Sequence, residues 1–282
     1  MRLTISQIQQ MKEKGEKIVM LTAYDYLSAK LIDEAGVDVI LVGDSLGMVM
    51  LGYDSPIPVT MEEMLHHTKA VVRGSRRALV VGDMPFMTYQ VEMGEAIRNA
   101  ARFIQEGGAQ AVKLEGGQNI AETVKRLVSC GIPVMGHIGL TPQYMHQLGD
   151  YAARGTSRES ALRLLEDARA LQAAGAFAIV LESVPADLAT IITRVLAIPT
   201  IGVGAGPDCD GQDQVVSDIL GLGTEFVPKE ISKRYASLGD AIKRAISDYV
   251  KEIKAVTFPT REHSYPIAPE IVRELEDLAL AD

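Results

Sequence analysis

The 282-residue chain has no tryptophan, only two cysteines, no excess of basic charge and no long uninterrupted apolar run. Each absence removes a class of protein. Cys130 and Cys209 stand far apart with no metal-ligand spacing, which excludes a disulfide framework and a thiolate metal centre and fits a reducing compartment. Lysine and arginine total 28 against 37 aspartates and glutamates, a formal net charge of −9. Nucleic-acid binding runs on clustered cations, so that class is excluded as well, and an anionic substrate must find its cation locally. No apolar run approaches the roughly 18 residues of a membrane span. The opening MRLTISQIQQMKEKGEK (1–17) lacks the apolar core of a secretion signal and reads as a short amphipathic helix with a capping box at Thr4 and Gln7. A cytoplasmic protein with no membrane and no nucleic-acid partner is expected.

What the chain has in abundance is one unit, written repeatedly. In EAGVDVILVGDSLG (34–47), EGGAQAVKLEGG (106–117) and AAGAFAIVLESVP (173–185), a helical segment stops at glycine, a short apolar run follows, and an acid closes it. KIVMLTAYD, ALVVGDMPF, IPVMGHIGL and IPTIGVGAG supply further apolar runs, and TEFVPK (224–229) is a weak last member, making eight. Strands that are apolar throughout are buried on both faces, the mark of a parallel sheet covered by helices. Eight such units in roughly 250 residues fit a (β/α)8 TIM barrel, with a doubly wound open sheet as the alternative. Even spacing and the lack of a composition break favour the barrel and a single domain over residues 1–282.

Two segments depart from the unit. LGMVMLGYDSPIPVT (46–60) is a long, proline-bearing loop after the second strand that runs into a capping box at Thr60 and Glu63, and such loops cover sites. The tail at 259–282 is punctuated by prolines and ends in a short helix, expected outside the barrel or on a neighbouring subunit.

In a barrel of this kind the C-terminal ends of all strands open onto one face, where active sites lie. The strand ends read Asp25, Asp44, Asp83, Glu115, His137 and Glu182. A single acid there is explained by a turn; several on one rim make a functional cluster. Carboxylates held together repel, and must take up protons or share a cation. Aspartates with no cysteine partner suit a hard ion that keeps several waters, Mg2+ rather than Zn2+, with Asp44 and Asp83 as the ligand pair. Lys113 and Glu115 stand two apart on one strand and so point to the same side, into the mouth. Lys113 then supplies the cation for an anionic substrate, its alternative being a structural ion pair with Glu115. Glu182 closes the sixth strand across the ring from Asp44 and suits a general base, or else an acid opening the helix after Pro185. His137 hydrogen-bonds substrate or only lines its strand end. His66 and His67 read as a solvated helix face. GVGAG (202–206) invites a phosphate loop but lacks the lysine and hydroxyl of one, and tight turning explains it equally well.

An ion, a carboxylate base and a lysine together suit making an enolate from an α-keto acid, which then attacks an electrophile. Residue chemistry alone reaches metal-assisted carbon–carbon bond formation or cleavage. The motifs MLTAYDY, VGDSLGMVMLGYDSPIPVT, GDMPFMTY, VKLEGG, MGHIGLTPQ, GAGPDCDGQ and FPTREHSYP, in this order over residues 4–266, closely resemble the ketopantoate hydroxymethyltransferase family. The resemblance implies a Mg2+-dependent barrel enzyme, commonly a decamer and so a homo-oligomer. It implies transfer of a one-carbon unit from 5,10-methylenetetrahydrofolate to 3-methyl-2-oxobutanoate. It further implies that Asp44 and Asp83 bind the ion with Glu115 near or through water, that Ser45 and Lys113 hold the keto-acid carboxylate, that His137 lies beside the substrate, and that Glu182 removes the C3 proton. Asp213, Gln214 and Glu230 depart from the family pattern and are expected to stand clear of the reacting groups, bearing on packing, folate or subunit contacts. A Mg2+-dependent keto-acid lyase using a cysteine acid, a Schiff-base aldolase using Lys113, and a non-catalytic keto-acid or folate binder are the competing readings.

Overall fold

The computed structural model describes residues 1–223 and 230–280. The chain divides into two compact units, Met1–Ala236 and Ser237–Asp282, a boundary that falls ahead of the tail expected from residue 259. In the first unit, eight parallel strands close into a barrel: β1 (Ile18–Thr22), β2 (Val39–Val42), β3 (Leu79–Asp83), β4 (Ala111–Glu115), β5 (Val134–Gly139), β6 (Ala178–Glu182), β7 (Thr200–Val203) and β8 (Gly211–Gln212). Helices Tyr26–Glu34, Met61–Gly74, Met93–Gln105, Ala121–Ser129, Arg158–Ala173 and Ala186–Val195 cover the strands from outside. Both proposed capping boxes form, with Gln7 N donating to Thr4 Oγ1 at 3.3 Å and Glu63 N to Thr60 Oγ1 at 3.2 Å. Each satisfies helix-end donors that would otherwise lack partners.

Two apolar layers result from strand alternation. Outward residues such as Ile40, Val80 and Val112 pack with the helices. On the outer face of β3, Phe103 lies so close that any side chain at Gly82 would collide with its ring. Inward residues Ile18, Val39, Leu79, Met135 and Ile201 fill the lower lumen, joined by Ile8 from the N-terminal helix Ile5–Lys14. Burying each such side chain contributes about 1.5–3 kcal/mol.

The strand that closes the barrel is not where the apolar pattern places it. TEFVPK lies outside the described residues, and β8 is instead Gly211–Gln212, paired with β7 and β1. Backbone groups carry this join: Ile18 N donates to Asp210 O at 2.9 Å, Asp213 N to Gly202 O at 3.0 Å and Thr22 N to Gln214 O at 3.1 Å. Ladder bonds need no apolar side chain, and the approach is too close for one at the first position, where a Cβ on Gly211 would sit 2.5 Å from Ile18 O. The long loop after β2 contains a short helix, Leu46–Val49, and is tied down by Tyr53 OH donating to Glu63 Oε1 at 2.6 Å.

The second unit contains the helices Leu238–Lys254 and Pro269–Ala279, the latter the short terminal helix expected from sequence. Within it Phe258 stacks edge-on against Tyr249 and His263. Among the described residues no helix is long and apolar enough to cross a membrane.

Candidate active site

Parallel closure brings the strand ends together at one mouth, where most of the candidate residues named above meet. Asp44 follows β2, 6% exposed, its backbone N–H donating to Asp83 Oδ2 at 3.1 Å. Burial and the charge of Glu115 push its carboxyl above the ordinary range. Asp83, at the end of β3, is raised to about 7 by burial and by Asp44, against the pull of Lys113. Lys113 Nζ stands 2.8 Å from Asp83 Oδ1, 3.2 Å from His137 Nδ1 and 4.0 Å from Glu115 Oε1. Burial opposes its charge, but Asp83, Glu115 and Asp44 outweigh that and hold it protonated. The partner that sequence suggested, Glu115, is therefore the more distant one. Ser45 is half-buried and shares a 2.8 Å hydrogen bond with Tyr24 OH.

His137 joins the two sides of the mouth. Its Nδ1 is 3.4 Å from Glu115 Oε1 and its Nε2 is 3.3 Å from Glu182 Oε2, with the Glu182 side chain 20% exposed. Burial and Lys113 disfavour the imidazolium, but the neighbouring carboxylates of Glu115 and Glu182 prevail and raise its pKa to about 9. Where Nδ1 accepts from Lys113, the ring proton lies on Nε2, on the side of Glu182.

Asp25 does not join this group. It caps the helix Tyr26–Glu34, accepting from Ser28 N at 2.9 Å. His67 is also not simply solvated, since its Nδ1 lies 2.6 Å from Tyr24 O. GVGAG turns tightly after β7 with Gly204 at φ 61° and Gly206 at φ 80°. It lines a cavity of about 460 Å³ with Lys17, Val19 and Gln212, a space that includes none of the mouth acids.

Two residues were missed. Gln143, 1% exposed, donates through Nε2 to Asp44 Oδ2 and to Met84 O, both at 2.9 Å, and its backbone N–H donates to Glu115 Oε2 at 3.0 Å. Tyr89 OH fixes the amide by donating to Gln143 Oε1 at 2.7 Å. Its only trace in the sequence was the motif GLTPQ, which carries no charge to draw notice. Asp213 was expected to stand clear, yet it is buried and within the fields of Lys113, Glu182 and His137.

The chemistry of the donor set suits a hard divalent cation: carboxylate oxygens, no thiolate, and two buried aspartates whose carboxyls burial pushes above the ordinary range. Among the described residues no group of three or more His, Cys, Asp or Glu is arranged to hold an ion, so the fit is to a pair of carboxylates completed by water and substrate oxygens.

The family model described as ketopantoate hydroxymethyltransferase matches residues 2–261. The chain belongs to the ketopantoate hydroxymethyltransferase family. Its members are transferases. A 3-methyl-2-oxobutanoate hydroxymethyltransferase of Dehalococcoides mccartyi (strain CBDB1) is 59% identical over 280 residues, 99% of this chain and all of the relative. One from Carboxydothermus hydrogenoformans is 60% identical over 274 residues, 97% of this chain and 99% of the relative. Among solved structures, a phosphonopyruvate hydrolase in complex with oxalate and Mg++ aligns with a TM-score of 0.58 at 15% identity, covering 99% of this chain and 97% of that one. A 2,3-dimethylmalate lyase aligns at 0.57 and 17% identity, covering 100% and 97%. Likeness at that identity extends the hydroxymethyltransferase family's barrel to these enzymes as a shared fold.

Proposed function

We propose that the protein transfers a hydroxymethyl group from 5,10-methylenetetrahydrofolate to 3-methyl-2-oxobutanoate, forming ketopantoate with net consumption of one water. The observation that carries this reading is the arrangement across the mouth, with Asp44 and Asp83 beside a charged Lys113 on one side and Glu182 on the other, bridged by His137. Asp44 and Asp83 would hold a Mg2+ ion, with Glu115 nearby, and the bound ion would supply positive charge for a developing enolate. Lys113 and Ser45 bind the carboxylate of the keto acid. Gln143 keeps the Asp44 carboxyl oriented. Glu182 takes the C3 proton of the keto acid, leaving its electron pair to form the C2–C3 double bond of the enolate. His137 Nε2 stands 3.3 Å from Glu182 Oε2 and flanks that carboxylate, which keeps its lone pairs for the incoming proton. Water opens the methylene bridge of the folate, breaking its two C–N bonds and releasing tetrahydrofolate; C3 attacks the carbon of the resulting formaldehyde-level unit, whose oxygen takes up the proton and becomes the product hydroxyl.

The competing chemistries lack their groups. Lys113, protonated between acids, offers no lone pair for a Schiff base. Cys130 is exposed, and Cys209 is buried with its thiol pushed up by that burial, outside the set of residues that line the mouth. Exposed apolar side chains at Leu27, Leu31 and Met48 support assembly into a homo-oligomer.

Proton NMR of the protein with both substrates and Mg2+ tests the reading. The methyl doublet of 3-methyl-2-oxobutanoate is expected to give way to a product singlet with a new hydroxymethyl signal, and a chelator is expected to stop it. An unchanged doublet with folded, ion-supplied protein contradicts the assignment.

A further inference from the structure

Asp213 is an acid in the mouth with no ion-pair partner among the described residues, touched only by the backbone N–H of Gln214. Its place follows from register. Gly211 pairs with Ile18 and Ile201, which both face the lumen. Asp213 is two residues further on, and its N–H still bonds to Gly202 O, so strand alternation turns its side chain into the same lumen one layer higher. There it is 6% exposed, and its Oδ1 is buried with no hydrogen-bond partner. The charges of Lys113, His137 and Glu182 and the phenol of Tyr24 all act on it, but among the described residues none of them is within ion-pair or hydrogen-bond distance. Burial raises its pKa to about 7, and Lys113, the backbone N–H of Gln214 and His137 offset only part of that desolvation.

An orphaned buried acceptor costs stability unless a ligand brings a donor. The chemistry of the reaction identifies that donor, an inference that rests on the function proposed above. The keto-acid anion has carboxylate and keto oxygens and an isopropyl group, and so has no O–H or N–H to give. Its hydroxymethylated product has one, on the carbon just added. The addition takes place at C3, next to the base Glu182, whose field also reaches Asp213. We propose that Asp213 is a specificity-determining residue that hydrogen-bonds the hydroxyl of the transferred one-carbon unit. A hydroxyl both donates and accepts, so it satisfies the carboxylate and the carboxylic acid alike. The wall that carries Asp213 recognises the added group, while the opposite wall recognises the part common to substrate and product.

Calorimetry on the full chain with Mg2+ isolates this contact. Ketopantoate is compared with 3,3-dimethyl-2-oxobutanoate, which differs only in having hydrogen in place of that hydroxyl. The wild type is expected to bind ketopantoate about tenfold more tightly. Asp213→Val is expected to bring the ratio to about one with the deoxy compound bound at least as well, and Asp213→Asn, whose amide oxygen still accepts, to retain part of it. A loss of packing would weaken both ligands together and leave the ratio in place. A wild-type ratio of one, or a ratio unchanged in Asp213→Val, overturns the assignment while leaving the keto-acid site intact. Unchanged ratios with a raised folate KM in the variant overturn it in favour of a contact to the donor's N–H groups. If neither keto acid binds the wild type, the functional reading itself fails and takes this inference with it.

Discussion

The same eight strands build two different regions. At the level of Ile18, Val39, Leu79, Met135 and Ile201 the lumen is apolar and sealed by Ile8. Nearer the mouth, the inward positions become Asp83, Lys113, Glu115, His137 and Glu182, joined by Asp213, and the cost of burying them is met only in part. Asp83 Oδ1 touches Lys113 as an ion pair but lacks a hydrogen bond, and His137 Nε2 and Asp213 Oδ1 likewise lack one. The lower lumen is where the barrel gains stability; the mouth is where it gives some up to bury charged groups. Substitutions in the two regions should therefore fail in different assays.

The largest effect is expected at Glu182. Glu182→Gln should lower turnover by about three orders of magnitude while keto-acid binding with Mg2+ persists, and near-normal turnover would remove it as the base. Next is the lower lumen: Met135→Ala leaves a cavity among fully packed neighbours and should cost about 2–5 kcal/mol in denaturant unfolding. A loss under 1 kcal/mol would mean that the layer is not the stabilising one. At the mouth a substitution can stabilise, and by an amount set by pH. The folded-state pKa of Asp213 is raised from 3.8 to about 7, so the proton it holds favours the folded state at low pH, and that stability is lost as pH rises through the interval. Asp213→Val should thus melt higher than the wild type without ligands, by a margin that grows between about pH 4 and 7 to the order of a few kcal/mol. A margin independent of pH would show that the carboxyl is not desolvated. The smallest effect is expected at Asp25, which ends its run as Asp44 does but caps a helix. Asp25→Ala should cost about 1 kcal/mol of stability and leave kcat/KM unchanged.

Asp25 and Asp44 also mark the limit of what sequence shows. Both follow an apolar run at a turn, and local pattern cannot separate a cap from a site, because the difference lies in which residues arrive from other strands. The barrel was legible because burial on both faces leaves apolar runs that need no context. Asp83, Lys113, Glu115, His137 and Glu182 were legible because they end those runs. β8 was not, since two residues held by backbone bonds leave no apolar trace. Asp213 escaped for the same reason: with its strand unplaced, its inward direction could not be read. Gln143 arrives from a loop, neutral, and is revealed only by what it touches.

The central claim is that this mouth makes an enolate with Glu182 as base, and deuterium exchange measures that step without the folate. In D2O with Mg2+, the wild type should replace the C3 proton of 3-methyl-2-oxobutanoate, collapsing its methyl doublet in proton NMR, and Glu182→Gln or a chelator should prevent it. A doublet that persists with folded wild-type protein and Mg2+, or exchange that continues unchanged in Glu182→Gln, would contradict the account.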